Sequence, residues 1–260
     1  MDVKMSLNKG GQLAIWVILA IVLVASIAIF FTFENRAKTN LDDTKDFDPQ
    51  RFIEKCIRNE VEGVVDLMIP NAGFVQTNNS RMYEGKNVSY LCRNDGNYYP
   101  CINQHPMLLN EMKDEIKVHI AESVNSCFDN LKSESGSRGY GVELPDETSQ
   151  FEVILGPDKI IQKVMRKVIL TKGSETDRYE EFDIEIASPL YNLGFIASEI
   201  ASQESKYCYF EYVGYMVLYP RYDIKKFTLS ESTKIYTIKD KKTGREMKIA
   251  IRGCAVPAGI

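Results

Sequence analysis

Residues 13–33 read LAIWVILAIVLVASIAIFFTF. Ser26 and Thr32 are the only polar residues in the run, which contains no charge, no proline and no glycine. At a helical rise of about 1.5 Å per residue, these 21 residues span about 31 Å, matching the roughly 30 Å hydrocarbon core of a bilayer. The run is expected to form a single transmembrane helix. The chain beyond it is polar, mixed in charge and cysteine-bearing, so the protein reads as an anchor plus one body. The expected divisions are a cytoplasmic tail at 1–11, a transmembrane signal-anchor at 12–33, a juxtamembrane spacer at 34–48 and an extracytoplasmic α+β domain at 49–260.

The 227 residues beyond the anchor suffice for one large domain or two small ones. Overall, 44% of residues are hydrophobic and 26% charged, ordinary for a globular protein once the anchor is set aside. The net charge is −4, and Asp2, Lys4 and Lys9 give the first 33 residues +1, leaving −5 for the body. That balance argues against nucleic acid as a partner. All six cysteines lie after the anchor, which suits an oxidising, extracytoplasmic compartment. Zinc is the competing reading, but there is no C-x2-C pair, and neither His105 nor His119 has finger-like spacing to a cysteine pair. Disulfides are therefore expected, with no metal and no cofactor.

Lys4 and Lys9 place the tail inside by the positive-inside rule. A cleavable secretory signal would have an apolar region of about 7–15 residues ending in a small-x-small site. Here the run is longer and ends Phe30-Phe31-Thr32-Phe33. Lys9-Gly10-Gly11-Gln12 followed directly by the apolar run resembles the archaeal class III, prepilin-like signal. The resemblance implies processing near Gly10 or Gly11, before the hydrophobic segment, which leaves the anchor in place. In pilins the anchor helix runs on into the globular head, whereas residues 34–48, ENRAKTNLDDTKDFD, carry no helical apolar stripe.

Asp48-Pro49 reads as N-cap and first helical position, with Phe52, Cys56, Val64, Val65 and Met68 as a buried stripe and Pro70-Asn71-Ala72-Gly73 as the stop. Phe74-Val75 is expected to begin an extended segment. Asn78 and Asn87 head glycosylation sequons. Cys92 and Cys101 bracket RNDGNYYP, read as a hairpin closed by a local disulfide. Tyr83, Tyr90, Tyr98 and Tyr99 either face a ligand or pave a half-buried sheet. Residues 106–132 form a second long helix with a stripe of Leu108, Met112, Ile116, Ile120, Val124, Cys127 and Leu131. Cys56 and Cys127 both fall on apolar helix faces and are paired on that ground. Residues 133–146 read as a Gly/Ser-rich loop.

A hairpin follows, with strands at 151–155 and 160–170 around Gly156-Pro157-Asp158, then a strand alternating Phe182, Ile184 and Ile186 with carboxylates. Ser188-Pro189 opens a third helix bearing Leu190, Leu193, Ile196, Ala197, Ile200 and Ala201. Residues 207–219 are aromatic and apolar and read as core. Strands at 222–229, 234–238 and 247–251 end the chain as a meander, with Cys254 just beyond and left to pair with Cys208. Six cysteines permit 15 connectivities, so these pairings are a ranking. The expected fold is α+β, with two or three long helices and antiparallel sheet. The whole pattern is similar to uncharacterised single-pass surface proteins of small archaea, a resemblance that implies no activity.

No constellation points to catalysis. Glu115, His119 and Glu122 share a helix face but lack a further ligand. There is no G-x-S-x-G, and the glycines at 136, 139 and 141 lack the G-K-[ST] end of a phosphate loop. Glu180, Glu181, Asp183 and Glu185 read as the solvent face of a strand rather than a glycosidase pair. The expected function is a non-enzymatic cell-surface protein with a structural, adhesive or assembly role. It would sit single-pass in the cytoplasmic membrane, with the bilayer at 13–33 and surface proteins as its partners. The alternatives are a minor pilin-like subunit and a membrane-tethered hydrolase using carboxylates. The Cys92–Cys101 loop, presenting Asn94, Asp95, Asn97, Tyr98 and Tyr99, reads first as a structural cap near the second helix and, as the alternative, as an exposed contact surface.

Overall fold

A computed structural model describes residues 22–24, 26, 47–77, 79–145 and 148–256. The expected tail, with Gly10 and Gly11, lies outside the described residues, as do most of the anchor, the spacer up to residue 46, and Asn78. Among the described residues, no helix is long and apolar enough to cross a membrane. The chain divides into two units, Met1–Asp48 and Pro49–Ile260, and the second carries two β-sheets.

Helix α1 spans Pro49–Met68, and Pro49 occupies the first turn, where a missing N–H costs nothing. Its buried line is Ile53, Ile57, Val61, Val65 and Met68. This corrects the expected stripe, since Phe52, Cys56 and Val64 are only half-buried. The apolar arc of α1 is wider than one stripe, and the β-branched line one residue over lies at its centre. A 3-10 turn, Ile69–Asn71, ends the helix, and Ala72 and Gly73 both take positive φ. Neither Phe74 nor Val75 lies in a strand, and a bend begins at Val75.

Helix α2 runs from Leu108 to Ser137. Every expected stripe residue is buried, joined by Phe128 and Ser135. A four-residue spacing drifts about 40° per step around a 3.6-residue helix, so the buried line of α2 winds and meets different elements along its length. It packs on α1, on the strands at Gly141–Glu143 and Gln150–Gly156, and on the helix at Leu190–Tyr207. The helix runs on to Ser137, into the expected loop at 133–146. Ser135 is fully buried and bonds back to the Leu131 carbonyl, so the extra turn needs no outside partner. Strand β4, Gly141–Glu143, occupies part of the same stretch.

Strands β5, Gln150–Gly156, β6, Lys159–Lys172, and β7, Glu175–Ala187, form an antiparallel sheet, with β4 on the same edge of β6 as β5. The β5–β6 turn holds Asp158 at φ 61°. Alternation places Ile160, Val164, Val168, Phe182, Ile184 and Ile186 in the core. Helix α3, Leu190–Tyr207, then buries Leu190, Leu193, Ile196, Ala197, Ile200 and Ala201. It packs against both sheets and against α2, which makes it the central element of the fold.

The first sheet comprises β1, Ser80–Tyr83, β2, Lys86–Arg93, β3, Ile102–Asn103, β8, Tyr222–Thr228, β9, Thr233–Asp240, and β10, Glu246–Arg252. Its order is β1-β2-β10-β9-β8, with β3 also on β2. This sheet is mixed, not purely antiparallel, because β10 lies parallel to β2. The chain leaves β2 for the helices and the second sheet, and its final meander returns alongside β2 in the same direction.

The cysteines pair Cys56–Cys127 between α1 and α2, Cys92–Cys101 across the β2–β3 connection, and Cys208–Cys254 from the end of α3 to the segment after β10. None of the six is free.

Candidate interaction surface

The connection from Arg93 to Cys101 is not a free tip. Asn94 organises it from within, its Oδ1 accepting the Gly96 N–H at 2.9 Å and its Nδ2 donating to the Pro100 carbonyl at 2.9 Å. From outside, the segment after β10 straps it down. The Asn94 N–H donates to the Arg252 carbonyl at 2.7 Å, the Tyr98 N–H to the Ala255 carbonyl at 2.9 Å, and the Cys254 N–H to the Tyr99 carbonyl at 2.6 Å. Arg252 returns a bond from Nη1 to the Asn94 carbonyl at 2.5 Å. Asp95 sits against Arg93 at 3.0 Å, and Asn97 bridges to Ala255. Gly253 permits this closeness, because a Cβ there would lie 2.6 Å from the Cys101 amide nitrogen.

The strapped loop still presents its rings. Tyr98 is 61% exposed and Tyr99 67% exposed, and Tyr98 is held at φ 66°, a costly conformation for an aromatic residue. The four candidate tyrosines thus divide. Tyr90 is buried against Val88, Ile235 and Ala250, and Tyr83 is half-buried beside Phe227, with ring centroids 5.6 Å apart. Only Tyr98 and Tyr99 face solvent fully.

The Cys208–Cys254 disulfide adds to this surface. Cys254 donates to the Tyr99 carbonyl, and Cys208 is flanked in the chain by Tyr207 and Tyr209, both exposed. Beyond them, helix α4, Tyr212–Leu218, has no buried residue. This corrects the expectation that residues 207–219 are core, since only Phe210 is buried there. YVGYMVL has no polar face, so periodicity alone cannot say whether it is buried or displayed. Glu211 caps α4, accepting the Gly214 N–H at 3.2 Å and the Tyr209 hydroxyl proton at 2.6 Å. These bonds hold its carboxyl below the usual range. The Lys226 ammonium lies 4.8 Å from the Tyr209 ring centre and 5.1 Å from that of Tyr212.

The other candidate residues stay apart from this surface. Asn87 is exposed on β2. His119 pairs with Glu115 at 3.4 Å, His105 with Glu111 at 2.5 Å, and the Glu115 carboxylate also accepts the Val75 N–H at 2.9 Å. Among the described residues no three potential ligands come together for a metal. Glu180, Glu181, Asp183 and Glu185 are all exposed along β7, and Glu185 pairs with Lys159 at 3.0 Å. A cleft of about 390 Å³ on the open face of the first sheet has Glu84, Asp223 and Glu246 among its lining residues. Each faces a lysine, Glu84 with Lys248 at 2.5 Å, Glu246 with Lys239 at 3.0 Å and Asp223 with Lys225 at 3.9 Å. Lys248 holds the Glu84 carboxyl below its ordinary range, the opposite of the raised value a general acid needs.

Comparison with protein-family models, with curated proteins and with solved structures gave no match.

Proposed function

We propose that this chain is a membrane-anchored extracytoplasmic cell-surface protein with a structural, adhesive or assembly role. Residues 13–33 cross the cytoplasmic membrane, and residues 34–260 lie outside. The observation that carries this reading is the conjunction of an uncharged 21-residue apolar run with six cysteines, all beyond it and all in disulfides. Protease applied to intact cells should remove the body, and complete protection would overturn the topology.

Within this reading, the disulfide-closed loop bearing Tyr98 and Tyr99 contacts neighbouring surface proteins. Its strapping removes ordering entropy before binding, and tyrosine supplies contact area at low entropic cost. The double substitution Tyr98→Ser and Tyr99→Ser should keep the thermal midpoint and weaken binding to envelope fractions. Unchanged binding by a folded variant would reduce the loop to a structural cap. A second reading, a minor pilin-like subunit, rests on Lys9-Gly10-Gly11-Gln12. Terminal sequencing of the mature protein separates the two, because the pilin-like form would begin at Gly11 or Gln12.

A further inference from the structure

We propose that α4 is an interfacial element that rests on the lipid surface and seats the body against the bilayer. This goes beyond the anchored reading and rests on it. The ridge consists of Val213, Val217, Leu218 and Tyr219, which are 52%, 77%, 74% and 50% exposed. An all-apolar helix with no buried residue is rare on a surface that meets only water.

The chemistry of the ridge is graded as a membrane interface requires. Aliphatic side chains occupy its crest. Tyr209 stands beside its start, sharing the Lys226 ammonium with Tyr212, and Tyr219 closes its end against Tyr215, rings with an apolar body and a polar tip. Lys226 lies over the Tyr209 and Tyr212 rings, and its long stem lets the ammonium reach phosphate. The one carboxylate at the start of α4, Glu211, is engaged by the Tyr209 hydroxyl and the Gly214 amide. On its inner side α4 rests on β8, where the Met216 sulfur accepts the Ile224 N–H at 3.1 Å and the Tyr215 ring lies 5.5 Å from buried Phe210. The ridge is therefore held in place by the body.

The chain also brings the ridge within reach of lipid. Fifteen spacer residues can extend to about 50 Å, so the tether leaves the body room to turn a face toward the bilayer. Tethering makes that contact intramolecular, and a surface of weak intrinsic affinity then stays occupied.

Trp16 is the single tryptophan of the chain and lies in the apolar run, which permits separate tests of anchor and ridge. The full chain would be placed one copy per nanodisc in anionic phosphatidylglycerol, with and without brominated acyl chains. Quenching of Trp16 in the wild type reports the anchor. The ridge is read in the double substitution Trp16→Phe and Val217→Trp. Trp16→Phe with Val118→Trp is the control, because Val118 is 72% exposed on α2. An indole buried about 5–10 Å into the headgroup–acyl boundary should lose about half its emission to bromine in the first variant and little in the control. Quenched Trp16 with an unquenched Val217→Trp variant overturns the ridge proposal alone. A blue-shifted but unquenched Val217→Trp emission overturns it too, by showing that protein covers the ridge. An unquenched Trp16 removes the anchor and the ridge proposal with it.

Discussion

Arg221 joins two carboxylates from two sheets. Its guanidinium donates to Asp158 at 2.5 and 2.9 Å and to Asp240 at 2.7 and 2.8 Å. Asp240 is fully buried at the end of β9, and Asp158 sits in the β5–β6 turn, its N–H bonded to Asn192 at 2.8 Å. Arg221→Ala strands the buried Asp240 charge and should cost about 3 kcal/mol in urea unfolding. The hydrogen bonds from Arg221 hold the Asp158 carboxyl down to about 2 and that of Asp240 below its ordinary value. Both groups are depressed in the folded state, so their contribution is complete above about pH 4 and lost as pH falls toward 2. The wild type should lose stability over that interval more steeply than Arg221→Ala.

Gln162 is the converse case, fully buried, with neither amide atom partnered among the described residues. Gln162→Leu should raise stability by about 1–2 kcal/mol, seen as a higher thermal midpoint. At this scale the sequence disclosed the cysteine pairs, because Cys56 and Cys127 each fall beside or within a recurring apolar stripe. It could not disclose Arg221, whose partners lie 63 and 19 residues away and meet only when both sheets are in place.

Among the elements, those with a clear period were readable. Strands β6 and β7 alternate between core and solvent, and α2 repeats an apolar residue nearly every four positions over most of its length. Helix α4 lacks any contrast between faces, and the parallel pairing of β10 with β2 depends on where a distant chain end returns, which no local pattern encodes. The strap on the Tyr98–Tyr99 loop was equally hidden, although Gly253 is its local mark. Gly253→Ala sets a methyl against the backbone of Cys101 and should cost about 1–3 kcal/mol. Amide exchange at Asn94, Tyr98 and Cys254 should quicken more than elsewhere, since their bonds cross that contact. Uniform loss of protection would mean that the strap is no separate unit.

For the molecule as a whole, α3 lies between the two sheets and is tied to the first by buried Glu204 and Tyr236 with half-buried Lys234. Glu204 receives Lys234 at 2.5 Å and the Tyr236 hydroxyl at 2.5 Å, and Lys234 also donates to the Cys208 carbonyl at 2.6 Å. The disulfides reinforce the same frame, each closure contributing roughly 2–4 kcal/mol. Mass spectrometry of the non-reduced protein should find no alkylatable thiol, and six would overturn the disulfide reading. Reduction should lower the unfolding midpoint by more than Arg221→Ala or Gly253→Ala does.

The strap also sets an order in time. Cys92 and Cys101 are nine residues apart and leave the ribosome close together. The backbone that fixes Tyr98 and Tyr99 is supplied by residues 252–255, and β10 can pair with β2 only when those residues arrive. A nascent chain halted before residue 250 therefore carries a closed but unsupported ring, and Tyr98 and Tyr99 take their final positions only once residues 252–255 have been made.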